Sequence, residues 1–203
     1  MLILSIDSCG SACGVCVWRD GAVLAHSMEK MTRGQDARLM PMIVDVMQRA
    51  GVGFDALDRV AVTRGPGSFT GLRVGLAAAR GIGLAAKKSV IGIDRFAAYR
   101  VLHKDGDPLI VIDSRRAELF CRFFPARGAA QEPCLMTKEQ IDAFLVAHPG
   151  TVMAGDVDTP DMDITETVAA LAATADANDP AFAPRPLYLR APDVTLPKDL
   201  SAR

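Results

Sequence analysis

The sequence predicts an α/β protein built from two small lobes of related design. Short apolar strands alternate with amphipathic helix patterns, and the chain opens on a meander of strands. Asp7 and Asp113 each close an apolar strand inside an Ile-Asp-Ser triplet, and a second strand follows each triplet. A pattern that returns after half a chain indicates an internal duplication. We predict an N-terminal lobe over residues 1–95 and a C-terminal lobe over 96–203, whose last residues are able to pack back onto the first lobe.

The first lobe is predicted to begin with three antiparallel strands and one helix. Residues 2–7, 13–18 and 22–29 read as strands, and Asp20-Gly21 between the last two is typical of a tight hairpin turn. Apolar residues in 36–51 recur at helical spacing. Pro41 lies in the first turns of this helix, where the backbone N–H that proline lacks is least needed for helix hydrogen bonds. Gly51 marks the end of the helix.

The alternation continues to the end of the chain. Further strands are predicted at 59–63, 89–93, 108–112, 119–124 and 151–155, and further helices at 94–104, 137–148 and 164–175. The helix after Thr137 starts with a capping box to Gln140.

Residues 64–83 combine a glycine-rich turn with a glycine-rich helix. The turn follows a strand and opens a helix, which is the setting of a phosphate-binding loop. However, its glycines are spaced G-x-G-x-x-x-G, whereas dinucleotide-binding loops have G-x-G-x-x-G. Pro66 also lacks the backbone N–H that could donate to a phosphate. The alternative is a tight turn that Ser68 or Thr70 caps. The residues of this signature loop are Gly65, Pro66, Gly67, Ser68, Phe69, Thr70 and Arg73.

The helix that follows carries a ridge of small residues four positions apart. Each interior glycine costs about 1 kcal/mol relative to alanine, so the ridge must recover stability through close packing. It could meet the chain's own sheet or a helix of a second molecule, and the spacing alone favours neither. The candidate interface residues on the two helices are Leu39, Met40, Ile43, Val46, Met47, Gly71, Leu72, Gly75, Leu76, Ala79 and Gly83.

Candidate catalytic and metal-binding residues are few. Asp7 and Asp113 could hold a hydrated magnesium ion near a phosphate, or they could simply form turns. The three histidines are scattered, and Cys13 and Cys16 lie in one strand where they point to opposite faces. We therefore predict no catalytic residue and no metal site, and keep the two aspartates as candidate vestigial phosphate-site acids.

Charge and composition exclude several classes of protein. The 203 residues carry a formal net charge of −1, which argues against a chain that grips nucleic acid alone but leaves room for a local basic patch. The charged cluster at 113–118 is either a solvated hairpin edge or a docking patch. Five irregularly spaced cysteines, no signal-like start and no membrane-length apolar run predict a cytoplasmic protein without a membrane partner.

The stretch GPGSFTGLRVGLAAARG, residues 65–81, closely resembles the signature of the bacterial TsaB (YeaZ) family. The opening LILSIDS, DSRRAELF at 113–120 and PLYLRAPD at 186–193 resemble the same family, so the likeness extends along nearly the whole chain.

The resemblance implies an actin-like (ASKHA, ribonuclease H-like) fold of two duplicated lobes. It also implies a non-catalytic subunit in the synthesis of threonylcarbamoyladenosine beside the tRNA anticodon. Its partners would be the TsaD transferase and the TsaE ATPase, the isolated chain would form homodimers, and tRNA would be reached only through the complex. Together with the small-residue ridge, the resemblance predicts that the helix carrying that ridge binds a partner, so that Gly75→Leu should abolish pairing and leave the chain folded. TsaD carries a His-x-x-x-His motif on its first helix, whereas residues 33–38 here hold no histidine.

No cofactor is implied for the chain itself, although a nucleotide could lie at the interface of the complex. The alternative is an actin-like ATPase or phosphotransferase that binds a nucleotide between the lobes and uses Asp7 and Asp113.

Overall fold

The first half of the chain forms a five-stranded mixed sheet. The structure, a computed structural model, describes residues 1–159 and 162–190. Its first sheet has the order β3-β2-β1-β4-β5, with β1 antiparallel to β2 and parallel to β4. The strands are β1 (Leu2–Asp7), β2 (Ala12–Arg19), β3 (Ala22–Lys30), β4 (Arg59–Thr63) and β5 (Ser89–Ile93).

The second half repeats this arrangement in a four-stranded sheet. Its order is β8-β7-β6-β9, with β6 antiparallel to β7 and parallel to β9. The strands are β6 (Asp107–Ile112), β7 (Leu119–Phe123), β8 (Cys134–Met136) and β9 (Thr151–Ala154). Because β6 to β9 occupy the positions of β1 to β4, the predicted duplication is confirmed and the fold is the two-lobe actin-like fold. The three-residue strand β8 was not predicted.

In the described part of the chain, the helices that cover the two sheets are α1 (Gln35–Arg49), α2 (Phe69–Ala86), α3 (Arg95–Leu102), α4 (Lys138–Ala147) and α5 (Thr165–Thr174). The predicted capping box of α4 is present, and Gly51 adopts a left-handed φ of 65° just after α1, as its stop requires. Pro41 lies in the second turn of α1, within the first turns as predicted, and on the exposed side of the helix.

The first sheet is buried on both faces, which explains why every residue of β1 is buried. One face packs against α1 and α2, and the other packs against α3, α5 and residues of the second sheet. Although α5 comes late in the chain, it lies on β1, β2 and β4. There Ser5 Oγ donates to the Thr165 carbonyl at 2.7 Å. The exact limits of the two lobes stay a prediction, and residues 191–203 lie outside the described residues.

Candidate functional site

The two aspartates of the repeated triplets lie in different surroundings. Asp7 is buried, and its Oδ1 accepts hydrogen bonds from Thr63 Oγ1 at 2.7 Å and from the Cys9 amide at 3.0 Å. Asp113 is exposed, and its Oδ1 accepts the Arg115 amide at 2.7 Å. Both lie near a cleft between the two hairpin turns, which has a volume of about 470 Å³ and is lined in part by Asp113. A phosphate-binding role for either aspartate stays a prediction.

A buried arginine lies where the two halves of the chain meet. Arg95, the first residue of α3, is only 2% exposed. Its Nη2 donates to Asp156 Oδ2 and to the Tyr99 hydroxyl, both at 3.1 Å, and its Nη1 donates to the Pro66 carbonyl at 3.2 Å. Its Nε has no hydrogen-bond partner and lies 3.9 Å from Asp7 Oδ2. The guanidinium therefore connects the end of β1, the signature loop and the turn after β9.

This arrangement stabilises charge inside the protein. Burial alone would lower the pKa of Arg95, but Tyr99, Asp7 and Asp156 raise it above its ordinary value. Burial raises the pKa of Asp156, and the neighbouring guanidinium opposes that rise. Arg95 thus stays a cation between two carboxylates, and its charge compensates theirs inside the protein. Sequence reasoning missed Arg95 and Asp156 because nothing local marks either residue.

The signature loop packs closely on the turn after β1. Gly65 has a φ of 101°, and a side chain on Gly67 would place its Cβ 2.4 Å from the Cys9 carbonyl oxygen. Ser68 caps α2 by accepting the Gly71 amide at 3.3 Å, as predicted for this turn. The glycines of the loop therefore permit a close approach of two backbone segments.

The small-residue ridge of α2 faces the chain's own sheet, which corrects the prediction of a partner-facing ridge. A Cβ on Gly71 would lie 2.0 Å from the Ser8 carbonyl oxygen, and one on Gly75 would lie 2.4 Å from Ser8 Oγ. On Gly83, the Cβ would lie 2.3 Å from Val90 Cγ2. Gly75→Leu would therefore disturb the fold itself, and the earlier expectation that it leaves the chain folded is wrong.

Most of the other predicted interface residues are also buried in the core. This correction applies to Leu39, Ile43, Val46, Met47, Leu72, Leu76 and Ala79. They pack against each other and the first sheet because the apolar stripe of each helix covers that sheet. Met40 is the exception, with 43% of its surface exposed.

The outward sides of α1 and α2 form a separate apolar surface, which we call the outer helix face. It includes Met40 and Val44 on α1 and Ala77, Gly81 and Ala85 on α2. A groove of about 560 Å³ runs along it, and Phe54 also lines that groove. Sequence periodicity singled out residues on the inner sides of these two helices, whereas this surface lies on their outer sides.

Phe69 and Arg73 of the signature loop region are exposed. The Phe69 ring lies 5.4 Å from that of Tyr188, and the Arg73 guanidinium lies over Phe69 at 3.9 Å.

Within residues 1–159 and 162–190, no three His, Cys, Asp or Glu side chains are grouped so that they could hold a metal ion. None of the helices in this part of the chain has the length and apolar character needed to cross a membrane.

Comparison with known proteins places the chain in a family. The family model of TsaD, tRNA N6-adenosine threonylcarbamoyltransferase, matches residues 24–127, just over half of the chain. The Escherichia coli protein named tRNA threonylcarbamoyladenosine biosynthesis protein TsaB is 37% identical over 59% of this chain and 53% of its own length. The chain belongs to the TsaD family and is similar to the TsaB (YeaZ) proteins.

Further relatives agree with this assignment. The Haemophilus influenzae TsaB protein is 33% identical over 59% of this chain and 52% of its own length. Thus the chain spans about half the length of the curated relatives that it matches. The structure of YeaZ from Pseudomonas aeruginosa superimposes with a TM-score of 0.72 at 23% identity, covering 93% of this chain and 99% of that one. This likeness supports the same fold.

Proposed function

We propose that the chain is a non-catalytic cytoplasmic subunit of the machinery that makes threonylcarbamoyladenosine in tRNA. In this role it binds and activates a TsaD transferase, together with the TsaE ATPase, and reaches tRNA through the complex. It needs no cofactor of its own. The names of its TsaB relatives support the pathway. The outer helix face supports the role as a binding subunit.

The outer helix face is the observation on which the proposal rests. Met40 and Val44 are each 43% exposed and lie one turn apart on α1. Met40 lines the groove together with small residues of α2, and Asp55 and Lys87 also line it. Small side chains on α2 allow a partner helix to approach closely and to bury the larger side chains of α1. Contiguous exposed apolar surface of this kind marks protein interfaces. The same face would pair two copies when no TsaD is present.

The test is complex formation with the TsaD protein of the same organism, measured by sizing chromatography with light scattering. Met40→Asp and Ala77→Asp place a charge on the outer helix face and should weaken the complex at least tenfold, because a carboxylate buried in an apolar contact lacks a partner. Val146→Asp on α4 is the matched control, since Val146 is an 81% exposed apolar residue on another helix. Thermal melting checks that all three variants are folded.

An unchanged complex with Met40→Asp and Ala77→Asp would refute the outer helix face as the binding surface. No complex with the unaltered chain would refute the binding role altogether. The isolated chain should appear as a dimer that the same two substitutions separate into monomers.

The alternative function, an ATPase or phosphotransferase acting between the lobes, gains no support from the cleft. Asp7 is held by Thr63 and the Cys9 amide, and Arg95 lies between it and Asp156. Asp7 therefore already has hydrogen-bond and charge partners within the chain. ATP hydrolysis by the purified chain that Asp7→Asn abolishes would support this alternative. Hydrolysis that persists in the Asp7→Asn variant would count against a catalytic role for Asp7.

A further inference from the structure

We propose that a pocket beside the signature loop binds a phosphorylated nucleotide unit, with its phosphate on arginine side chains and its base on an aromatic pair. We call it the arginine pocket. It lies between the signature loop, the turn between β6 and β7 and residues 187–190, and has a volume of about 420 Å³. This volume lies in the range of pockets that hold small ligands, about 300–1,000 Å³.

The charge of the pocket favours an anion. Arg115, Arg116 and Arg190 line it, and its lining residues, within the described part of the chain, include no Asp or Glu. An acidic group close by is Glu118, which pairs with Arg190 from outside that lining. Because the whole chain has a formal net charge of −1, three lining arginines are a local concentration of positive charge. The charged cluster that the sequence left undecided therefore supplies one wall of a cationic pocket.

Two of these arginines are held in ways that leave their charge available. Arg115 Nη2 donates to the Gly10 carbonyl at 3.0 Å, and a carbonyl orients a guanidinium without neutralising it. Arg190 Nη2 donates to Glu118 Oε2 at 2.8 Å, but both side chains are partly exposed. Exposed pairs are weak, so a phosphate can compete for Arg190. Guanidinium groups bind phosphate oxygens in a bidentate way, which makes them well suited to this ligand.

The aromatic pair distinguishes a nucleotide from a simple anion. Phe69 and Tyr188 are 44% and 43% exposed, and their ring planes are tilted by 31°. Arg73 fixes both rings, because its guanidinium lies over Phe69 and its Nε donates to the Tyr188 hydroxyl at 3.1 Å. Exposed and preorganised rings beside arginines are a stacking surface for a base. Neither a phosphate ion nor an acidic peptide would use these rings in that way.

The pocket is separate from the outer helix face, so this inference stands independently of the proposed partner binding. Two ligands present a phosphate and a base in this way: a nucleotide within single-stranded RNA and a free nucleotide. The experiment measures binding of a fluorescein-labelled RNA pentamer and of free AMP and ATP to the full chain, by fluorescence anisotropy and calorimetry over a range of salt concentrations.

Two substitutions test the two halves of the site. Tyr188→Ser should weaken binding about tenfold through lost stacking and should leave the salt dependence unchanged. Arg190→Gln should also weaken binding, and for RNA it should reduce the slope of log K against log salt by about 0.7, the value for one phosphate contact. Arg19→Gln and Val152→Ser are the controls, because both are exposed residues outside the pocket. Thermal melting confirms that each variant is folded.

Each outcome decides the proposal. Binding of RNA but not of AMP or ATP supports the site with RNA as the source, and the reverse supports a free nucleotide. Absence of binding by all three ligands at millimolar concentration overturns it. So does binding that neither Tyr188→Ser nor Arg190→Gln changes. A poly-glutamate peptide that binds as tightly as RNA, and that is insensitive to Tyr188→Ser, would assign the arginines to an acidic protein partner and overturn the nucleotide proposal.

Discussion

Helix α2 contains two glycines that allow a matched test of its packing on the first sheet. A Cβ at Gly71 would lie 2.0 Å from the Ser8 carbonyl oxygen, whereas a Cβ at Gly81 would meet nothing within 4 Å. Carbon and oxygen atoms in close protein contacts are normally about 3.3 Å apart. Gly71→Ala therefore forces the start of α2 more than 1 Å away from the turn after β1.

The expected magnitudes follow from this difference. Overpacking costs about 1–3 kcal/mol, and the upper end applies here because the obstacle is a backbone carbonyl that cannot rotate away. The shift would also lengthen the 2.8 Å hydrogen bond from Ser8 Oγ to the Gly71 carbonyl. We expect Gly71→Ala to lower the free energy of unfolding by about 3 kcal/mol. Gly81→Ala should raise it by up to about 1 kcal/mol, since alanine is the better helix former.

Urea unfolding followed by circular dichroism measures both effects on the same helix. The slope of the unfolding transition should stay the same, so that the midpoint alone reports the change. If both variants unfold at the midpoint of the unaltered chain, the ridge is not packed as tightly as described. A midpoint for Gly71→Ala above that of Gly81→Ala would refute the assignment of the ridge to the sheet.

Three further predictions concern buried charge and cysteine chemistry. Arg95→Met should lower the free energy of unfolding by about 3–5 kcal/mol, because it leaves Asp7 and Asp156 buried without a cation. Urea unfolding should show this loss, and a cost below about 1 kcal/mol would contradict the described geometry. Of the five cysteines, only Cys134 is exposed, so a thiol reagent at pH 8 should rapidly modify one site that Cys134→Ser removes. Burial raises the pKa of Cys9 to about 12 from 9.0. The unfolded chain therefore loses this proton first above pH 9, so Cys9 alone should lower stability by up to about 1.4 kcal/mol per unit of rising pH, a contribution that Cys9→Ala removes. Burial raises the pKa of Cys13, Cys16 and Cys121 in the same way, so that they add to the total slope.

Local sequence patterns identified most strands and helices because their signals are contained within a few neighbouring residues. The hairpin at Asp20-Gly21, the capping box at Thr137 and the stop at Gly51 each depend on the conformational preference of one or two residues. The repeated Ile-Asp-Ser triplet also predicted the duplication, because the same short motif ends a strand in each half of the chain. Strand β8 was missed because three residues are too few to show a period.

Periodicity showed which helices carry apolar and small residues but not what those residues contact. A buried stripe and a partner-binding stripe have the same spacing, so Leu39 and Ile43 were assigned to an interface although both lie in the core. Only the position of the sheet shows that Gly71 and Gly75 face Ser8, and that Met40 faces outward.

Local patterns predicted the succession of helices and of all strands except β8, the duplicated lobes and the family signature, because these depend on residues adjacent in the chain. Tertiary structure alone decided which side of each helix is buried. It also brought Arg95 to Asp156 and placed Tyr188 beside Phe69, across separations of 61 and 119 positions. Contacts over such distances arise only when packing of the hydrophobic core fixes where each strand and helix lies, and no local pattern records that arrangement.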